Sequence, residues 1–306
     1  MAISSVFLIM EGTEYPLTYN SSTQKYTASI NAPSTTSFNK TGGYYPLQVK
    51  AVDDAGNETV IDTTHATLGN ALKLVVKETV KPTITITSPT SGAKLSTNAP
   101  TITWKVTDNG SGVNLNTVTL KIDGTAKSGF TQTSISGGYS FSYTASGLTD
   151  GSHTIVVNAS DNDGNAGNQA SVTFTTDTTM PDLNITAPQN NLVTGTRNVA
   201  YSGTTNDATS SPVTLTYVIT RGSTSVDSGT ITVETSGNFS GNFVLPEVDG
   251  AYTIKFTSTD SAGNHTDVTR TVTLDRSAPV ISAVTITPNP VNTSATFTIT
   301  VTVTDT

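Results

Sequence analysis

Carboxylates stand at constant offsets along this 306-residue chain, and oxygen donors grouped in that way can cap tight turns or hold a hard cation. Glu78, Asp177 and Asp275 each precede a proline by four residues, at Pro82, Pro181 and Pro279. An aspartate follows each proline 26 residues later, at Asp108, Asp207 and Asp305. In the two complete repeats another lies 79 residues beyond the proline, at Asp161 and Asp260. The pattern D-x-x-G-N recurs at 53–57, 161–165 and 260–264. Its aspartate can accept backbone N–H bonds while its glycine takes a positive φ, which accounts for a turn without any metal. The stretch "DNDGN" at 161–165 lacks the later ligand spacing and terminal glutamate of an EF-hand loop, so a helix-flanked calcium site is excluded.

The elements that would position these acids are strands. Thr and Ser alternate with Val, Ile and Phe in "TITIT" at 83–87, "TITWKV" at 101–106 and "TFTITVTV" at 296–303. Period two with hydroxyls on one face predicts half-buried strands, and no window keeps a helical period. Gly, Pro and Asn breaks every 8–12 residues complete an all-β pattern of the sandwich kind. Charged residues are 12% of the chain and the net charge is −8, a balance that disfavours nucleic acid and anionic membrane as partners. With no cysteine, disulfides and thiolate chemistry are excluded. The apolar run "VFLIM" at 6–10 is too short to span a bilayer and lacks the basic flank of a signal peptide, so no membrane insertion is expected.

The junction prolines are 99 and 98 residues apart, which predicts tandem immunoglobulin-like β-sandwiches in an extended rod. Boundaries follow from the repeat. Residues 79–177 and 178–275 form complete modules, and 276–306 supply the first two strands of a further one. Residues 1–78 form a variant module: "SSVFLIMEGTE" aligns with "NTVTLKIDGTA" at 116–126, so its strands begin at C and the A–B pair is missing. The alternating segment "NALKLVVKE" at 70–78 is expected to fill the vacant edge, which would otherwise expose unpaired backbone groups. The half-module at 276–306 predicts a longer chain, with head-to-tail strand exchange between copies as the alternative.

In such a sandwich the B–C and F–G loops share the end from which strand A starts. Glu78, Asp108, Asp161 and Asp163 should therefore converge at one junction, and Asp177, Asp207 and Asp260 at the next. Two readings stay open: turn capping alone, or a calcium ion tying adjoining modules together.

The junction pattern, the stretch "TDNGSGVNLNTVTLKIDG" at 107–124, "DG" followed by His or Tyr at 150–155 and 249–254, and the D-x-x-G-N turns together resemble bacterial Ig-like tandem repeats of surface and phage-borne proteins. The opening "GGYYPLQVKAVDDAGNET" with "LGNALKLVVKE" is similar to Ig-like proteins encoded among tail genes of prophages of Gram-positive bacteria. That resemblance implies a non-enzymatic arm in a phage tail or baseplate, partnered by other tail or surface proteins and by host cell-surface glycans. The alternatives are a bacterial cell-surface adhesin or spacer, and an accessory region of an enzyme beyond residue 306.

Other chemistry has little to stand on. His65, His153 and His265 fall in different modules, and His153 takes the place of Tyr45 and Tyr252, which predicts a packing role rather than a general base. Trp104, the single tryptophan, shares its strand face with Ile102 and Val106 and is expected in the core. Tyr139, Phe141 and Tyr143 share one face, the core face. Tyr15, Tyr19, Tyr44 and Tyr45 are expected to be exposed and available to stack on sugars.

Overall fold

Alternation of threonine with aliphatic residues produces strands along the whole chain, and the computed structural model, which describes residues 2–305, contains no α-helix among them. Met1 and Thr306, the ends of the expected first and last modules, lie outside the described residues. The chain divides into two compact units. One takes the residues through Ala93 with Ala99–Leu148 and Ser152–Thr175; the other takes Lys94–Asn98, Thr149–Gly151 and the chain from Thr176 onward.

The first unit opens with one sheet. Its strands run in the order Lys25–Thr27, Thr13–Asn20, Ile3–Met10, Tyr45–Asp53, Glu58–Ile61. The hairpin between Ile3–Met10 and Thr13–Asn20 closes on Glu11 and Gly12, both at positive φ (51° and 78°), the backbone a two-residue hairpin turn requires. Val6, Leu8 and Met10 lie opposite Ala51, Val49 and Leu47, so one apolar face is assembled across the ladder. No strand forms between Thr27 and Tyr45 among the described residues, so this module carries the C, C′, F and G positions without a facing sheet. The segment 70–78, expected to fill the vacant edge, forms a strand of only two residues. Only Lys73–Leu74 pairs, and it does so on Tyr45–Pro46, beside the short Glu58–Ile61 strand. That four-residue strand leaves the start of Tyr45–Asp53 uncovered, and the open edge there is what the segment satisfies. Beyond it, the Val76 carbonyl accepts the N–H and hydroxyl of Ser37.

The same unit continues as a two-sheet sandwich. One sheet runs Thr131–Ile135, Gly138–Thr144, Thr101–Thr107, Thr83–Ser88, and the other places Thr125–Lys127, Val113–Ile122, Gly151–Asp161 and Ala170–Thr176 side by side. Register explains the core. Tyr139, Phe141 and Tyr143 pair with Val106, Trp104 and Ile102, so the predicted shared face is real. Ile102, Trp104 and Val106 are fully buried, and Phe141 stacks on the indole at 5.2 Å with a 7° interplanar angle. His153 is buried against Phe174, and its Nδ1 lies 2.7 Å from Asp123 Oδ2, bringing together the start of one strand and a turn. Asp123 also accepts the Thr154 N–H at 2.8 Å. Burial raises the Asp123 pKa, but the His153 and Thr154 hydrogen bonds outweigh it and hold the carboxyl below its ordinary value. A depressed folded pKa gives stability that is complete above the unfolded value near ~4 and is lost as pH falls through the folded value. The wild-type second module should accordingly lose more melting temperature between neutral pH and acid than an Asp123→Asn variant. Equal acid losses in a calorimetric pH series would contradict this assignment.

The second unit repeats the topology. Asp182–Ala187, Asn198–Asn206 and Asn238–Val244 form one sheet; Leu192–Thr194, His265–Leu274, Gly250–Thr259, Thr214–Arg221 and Thr224–Ile231 form the other. Tyr252 is fully buried and donates its hydroxyl to the Val248 carbonyl at 2.6 Å, the counterpart of Tyr45, whose hydroxyl donates to the Thr35 carbonyl at 3.1 Å. The last strands, Val280–Thr287 and Thr298–Thr304, pair only with each other among the described residues. Ile299, Val301 and Val303 occupy the repeat positions of Ile102, Trp104 and Val106, yet remain 57%, 43% and 54% exposed. Strand pattern therefore specifies this hairpin locally, whereas burial of its face depends on a sheet opposite it.

Candidate functional site

The predicted carboxylate columns converge in two groups of three. In the first unit, Glu78, Asp108 and Asp161 each turn one oxygen into a group whose members all lie within 4.8 Å of one another. Asp108 opens the loop after Thr101–Thr107, and its Oδ1 accepts the N–H groups of Gly110 at 3.0 Å and Gly112 at 2.7 Å. Its Oδ2 is buried and accepts nothing. Asp161 receives both the backbone N–H and the side-chain amide of Asn165 at 2.7 Å. Glu78 accepts the Ser111 N–H, and Gly110 leaves room for its carboxylate, since a Cβ there would collide with both Glu78 oxygens.

The second unit builds the same object from Asp177, Asp207 and Asp260, again within 4.8 Å. Asp207 Oδ1 caps Thr209 and Ser210 at 2.8 and 2.5 Å. Asp260 Oδ1 accepts the N–H groups of Ala262, Gly263 and Asn264, and its Oδ2 accepts the Asn264 amide. Asp177 Oδ1 takes the Thr179 N–H at 3.0 Å, while its Oδ2 is buried with no partner, as is the Ser210 hydroxyl. Asp161 and Asp260 thus spend both oxygens on their turns, whereas Asp108 and Asp177 spend one and leave the other buried without a donor.

None of these six carboxylates forms an ion pair with Lys, Arg or His among the described residues. Two ionised carboxylates ~5 Å apart repel by about 3 kcal/mol at an effective dielectric near 20. Five of the six are buried, so water relieves little of that repulsion. The arrangement is chemically a pair of hard, anionic oxygen cages.

Asp163 stands outside the first cage. Its Oδ2 instead accepts the Thr36 hydroxyl at 2.5 Å and the Glu78 N–H at 3.0 Å, fastening the first module and its linker to the loop at 161–165. Asn39 adds a bond to the Gly110 carbonyl at 2.7 Å. Two further kinds of seam residue were not singled out by type and spacing. Asn165 and Asn264, the last residues of the D-x-x-G-N turns, donate to the carbonyls of Glu78 and Asp177 at 3.1 and 2.8 Å. Asp150 and Asp249, in the D-G pairs 99 residues apart, latch the following linkers: Asp150 accepts from Thr178 and Thr179, Asp249 from Arg276. The Thr178 N–H bond holds Asp150 below the usual carboxylate range, and the Arg276 guanidinium does so for Asp249. Their constant spacing was the available signal; no local pattern showed what they would bind.

Tyr45 corrects an expectation. It is 1% exposed and packs inward rather than offering a ring to a sugar, because its hydroxyl finds the Thr35 backbone. Tyr19 remains 50% exposed, with the Tyr26 ring 5.0 Å away.

Ladders, cores and repeated loops define tandem immunoglobulin-like sandwiches. Residues 82–157 match the family model described as a bacterial Ig domain, and residues 6–70 one described as a bacterial Ig-like domain. Residues 181–276 match the model for domain B of glucodextranase. The chain therefore carries bacterial Ig-like domains in tandem. No curated protein matches it. Among solved structures it is similar to the fibronectin(III)-like modules of Clostridium thermocellum CbhA, at 17% identity over 63% of this chain and 94% of that one, with a TM-score of 0.40. Titin domains match at 11% identity over 87% and 85%, with a TM-score of 0.42. A tetra-tandem repeat from the extending region of a large adhesion protein matches at 20% over 98% and 79%, with a TM-score of 0.31. No helix of the described residues is long and apolar enough to cross a membrane.

Proposed function

We propose that the chain is a non-enzymatic structural or adhesive arm of tandem Ig-like modules, its linkers tied to loops by hydrogen bonds. One observation carries this reading. The same device, a linker acid gathered with one aspartate from each of two loops and tied by an asparagine to the linker carbonyl, occurs at Glu78 and again at Asp177. Conserving that device along a chain fixes linkers to loops; it does not shape a cleft around a substrate. The resemblance of the opening module to Ig-like proteins among prophage tail genes supports a phage tail or baseplate as the setting. Tail proteins would be its neighbours there, and host surface glycans its targets. The similarity of residues 181–276 to domain B of glucodextranase favours a second reading, an accessory region of an enzyme. Immunogold labelling of the producing bacterium after prophage induction separates the settings. Label on particle tails is the expected result; label confined to the cell envelope would favour a surface adhesin, and label absent from both would leave the accessory reading.

A further inference from the structure

We propose that each seam is a divalent-cation site of the calcium type, one ion held by Glu78, Asp108 and Asp161 and a second by Asp177, Asp207 and Asp260. This stands apart from the reading above, since it would hold for an arm, an adhesin or an accessory region alike.

The acids alone would not carry it. What does is the division of labour within each group. In Asp108 and Asp177 one oxygen is engaged by backbone N–H bonds, which fixes the carboxylate's orientation. The other is buried without any hydrogen-bond partner, on residues only 8% and 0% exposed. A buried carboxylate oxygen with no donor is rare, because desolvating it without compensation is costly. Here two occur, one in each group of three mutually close acids: a loop acid of the first group and the linker acid of the second. At the second seam the Ser210 hydroxyl is a further buried polar atom without a partner, on a residue whose backbone N–H binds Asp207 Oδ1.

The donor set selects the ion. All six ligands are carboxylates, with no His or Cys in either group, which suits a hard cation rather than zinc or copper. The oxygens of each group lie within 4.8 Å of one another, close enough for one ion to touch all three at ~2.4 Å. Magnesium dehydrates reluctantly and keeps several of its own waters, which suits a site built from several carboxylates less well than calcium does. Three negative charges per site would be offset by two positive ones, removing most of the repulsion that the fold otherwise bears. At the first seam Asp163 takes no part in the cage and gives a built-in control.

The test uses the full chain stripped with EDTA and returned to calcium. Equilibrium dialysis should find two ions per chain, one after Asp108→Asn or Asp207→Asn, none after both, and still two after Asp163→Asn. Calorimetry should show melting temperature raised by calcium, by roughly 5 °C or more at saturation. Asp207→Asn should lower it in calcium yet raise it in EDTA, where one carboxylate of a repelling trio has gone. A residue that only caps a turn would lower it in both. If a variant fails to fold, stoichiometry in the wild type still decides. No uptake at millimolar calcium, uptake unchanged by both substitutions, or equal melting in EDTA and calcium would each overturn the proposal.

Discussion

Trp104→Ala should destabilise the second module by about 3–5 kcal/mol, the usual cost of truncating a large buried aromatic. The indole is fully buried, stacked on Phe141 and met edge-on by Phe130 at 5.2 Å and 73°. Its strand, Thr101–Thr107, is central in its sheet, so Gly138–Thr144 and Thr83–Ser88 both border the cavity. A module of this size gains roughly 4–8 °C per kcal/mol, and total stabilities are only about 5–15 kcal/mol, so the variant should melt some tens of degrees lower. Trp104→Phe should be far milder. The indole Nε1 has no hydrogen-bond partner to lose, so that change removes volume and leaves no group unsatisfied. Since the only tryptophan is gone in both variants, calorimetry is the measurement. A Trp104→Ala cost below about 1 kcal/mol would mean that the site collapses freely, against the packing described.

Phe243→Ala should have a comparable effect in the second unit. Phe243 is 3% exposed, with the rings of Tyr201, Tyr217 and Phe256 at 4.4, 4.6 and 5.9 Å. Removing it leaves three rings facing a void that their own strands hold open, again about 3–5 kcal/mol. Tyr201 and Tyr217 come from opposite sheets, so the loss falls on the join between them. Trp104 fluorescence then serves as a silent reporter, because its cluster and that of Phe243 share no residue. The fluorescence midpoint should stay at its wild-type value while a separate calorimetric transition drops. A fluorescence transition that falls in step would show one cooperative unit where two cores are described.

Much of this was legible before any coordinates. Period-two threonine patterning gives the strand faces directly, because side chains of a strand must alternate. It correctly assigned Trp104, Ile102 and Val106 to the core, and Tyr139 with Phe141 and Tyr143 to one face. Constant offsets from each proline anticipated that Glu78, Asp108 and Asp161 meet, and likewise Asp177, Asp207 and Asp260. Equal spacing implies equal strands and turns, and equal turns bring the same loops together. The limits appear where one residue chooses among partners far away in the chain. Asp163, next but one to Asp161, turns to Thr36 instead of the cage. Tyr45, whose hydroxyl finds its acceptor at Thr35 across a strandless loop, turns inward.

The amino-acid order by itself determined strand type, repeat length and which acids would lie at one end of each sandwich, since these follow from alternation and counting. The tertiary structure alone decided which acids spend both oxygens on a turn and which, Asp108 and Asp177, keep one buried without a donor. That choice depends on the angle at which two loops and a linker approach, a property of packed backbone that no residue spacing records.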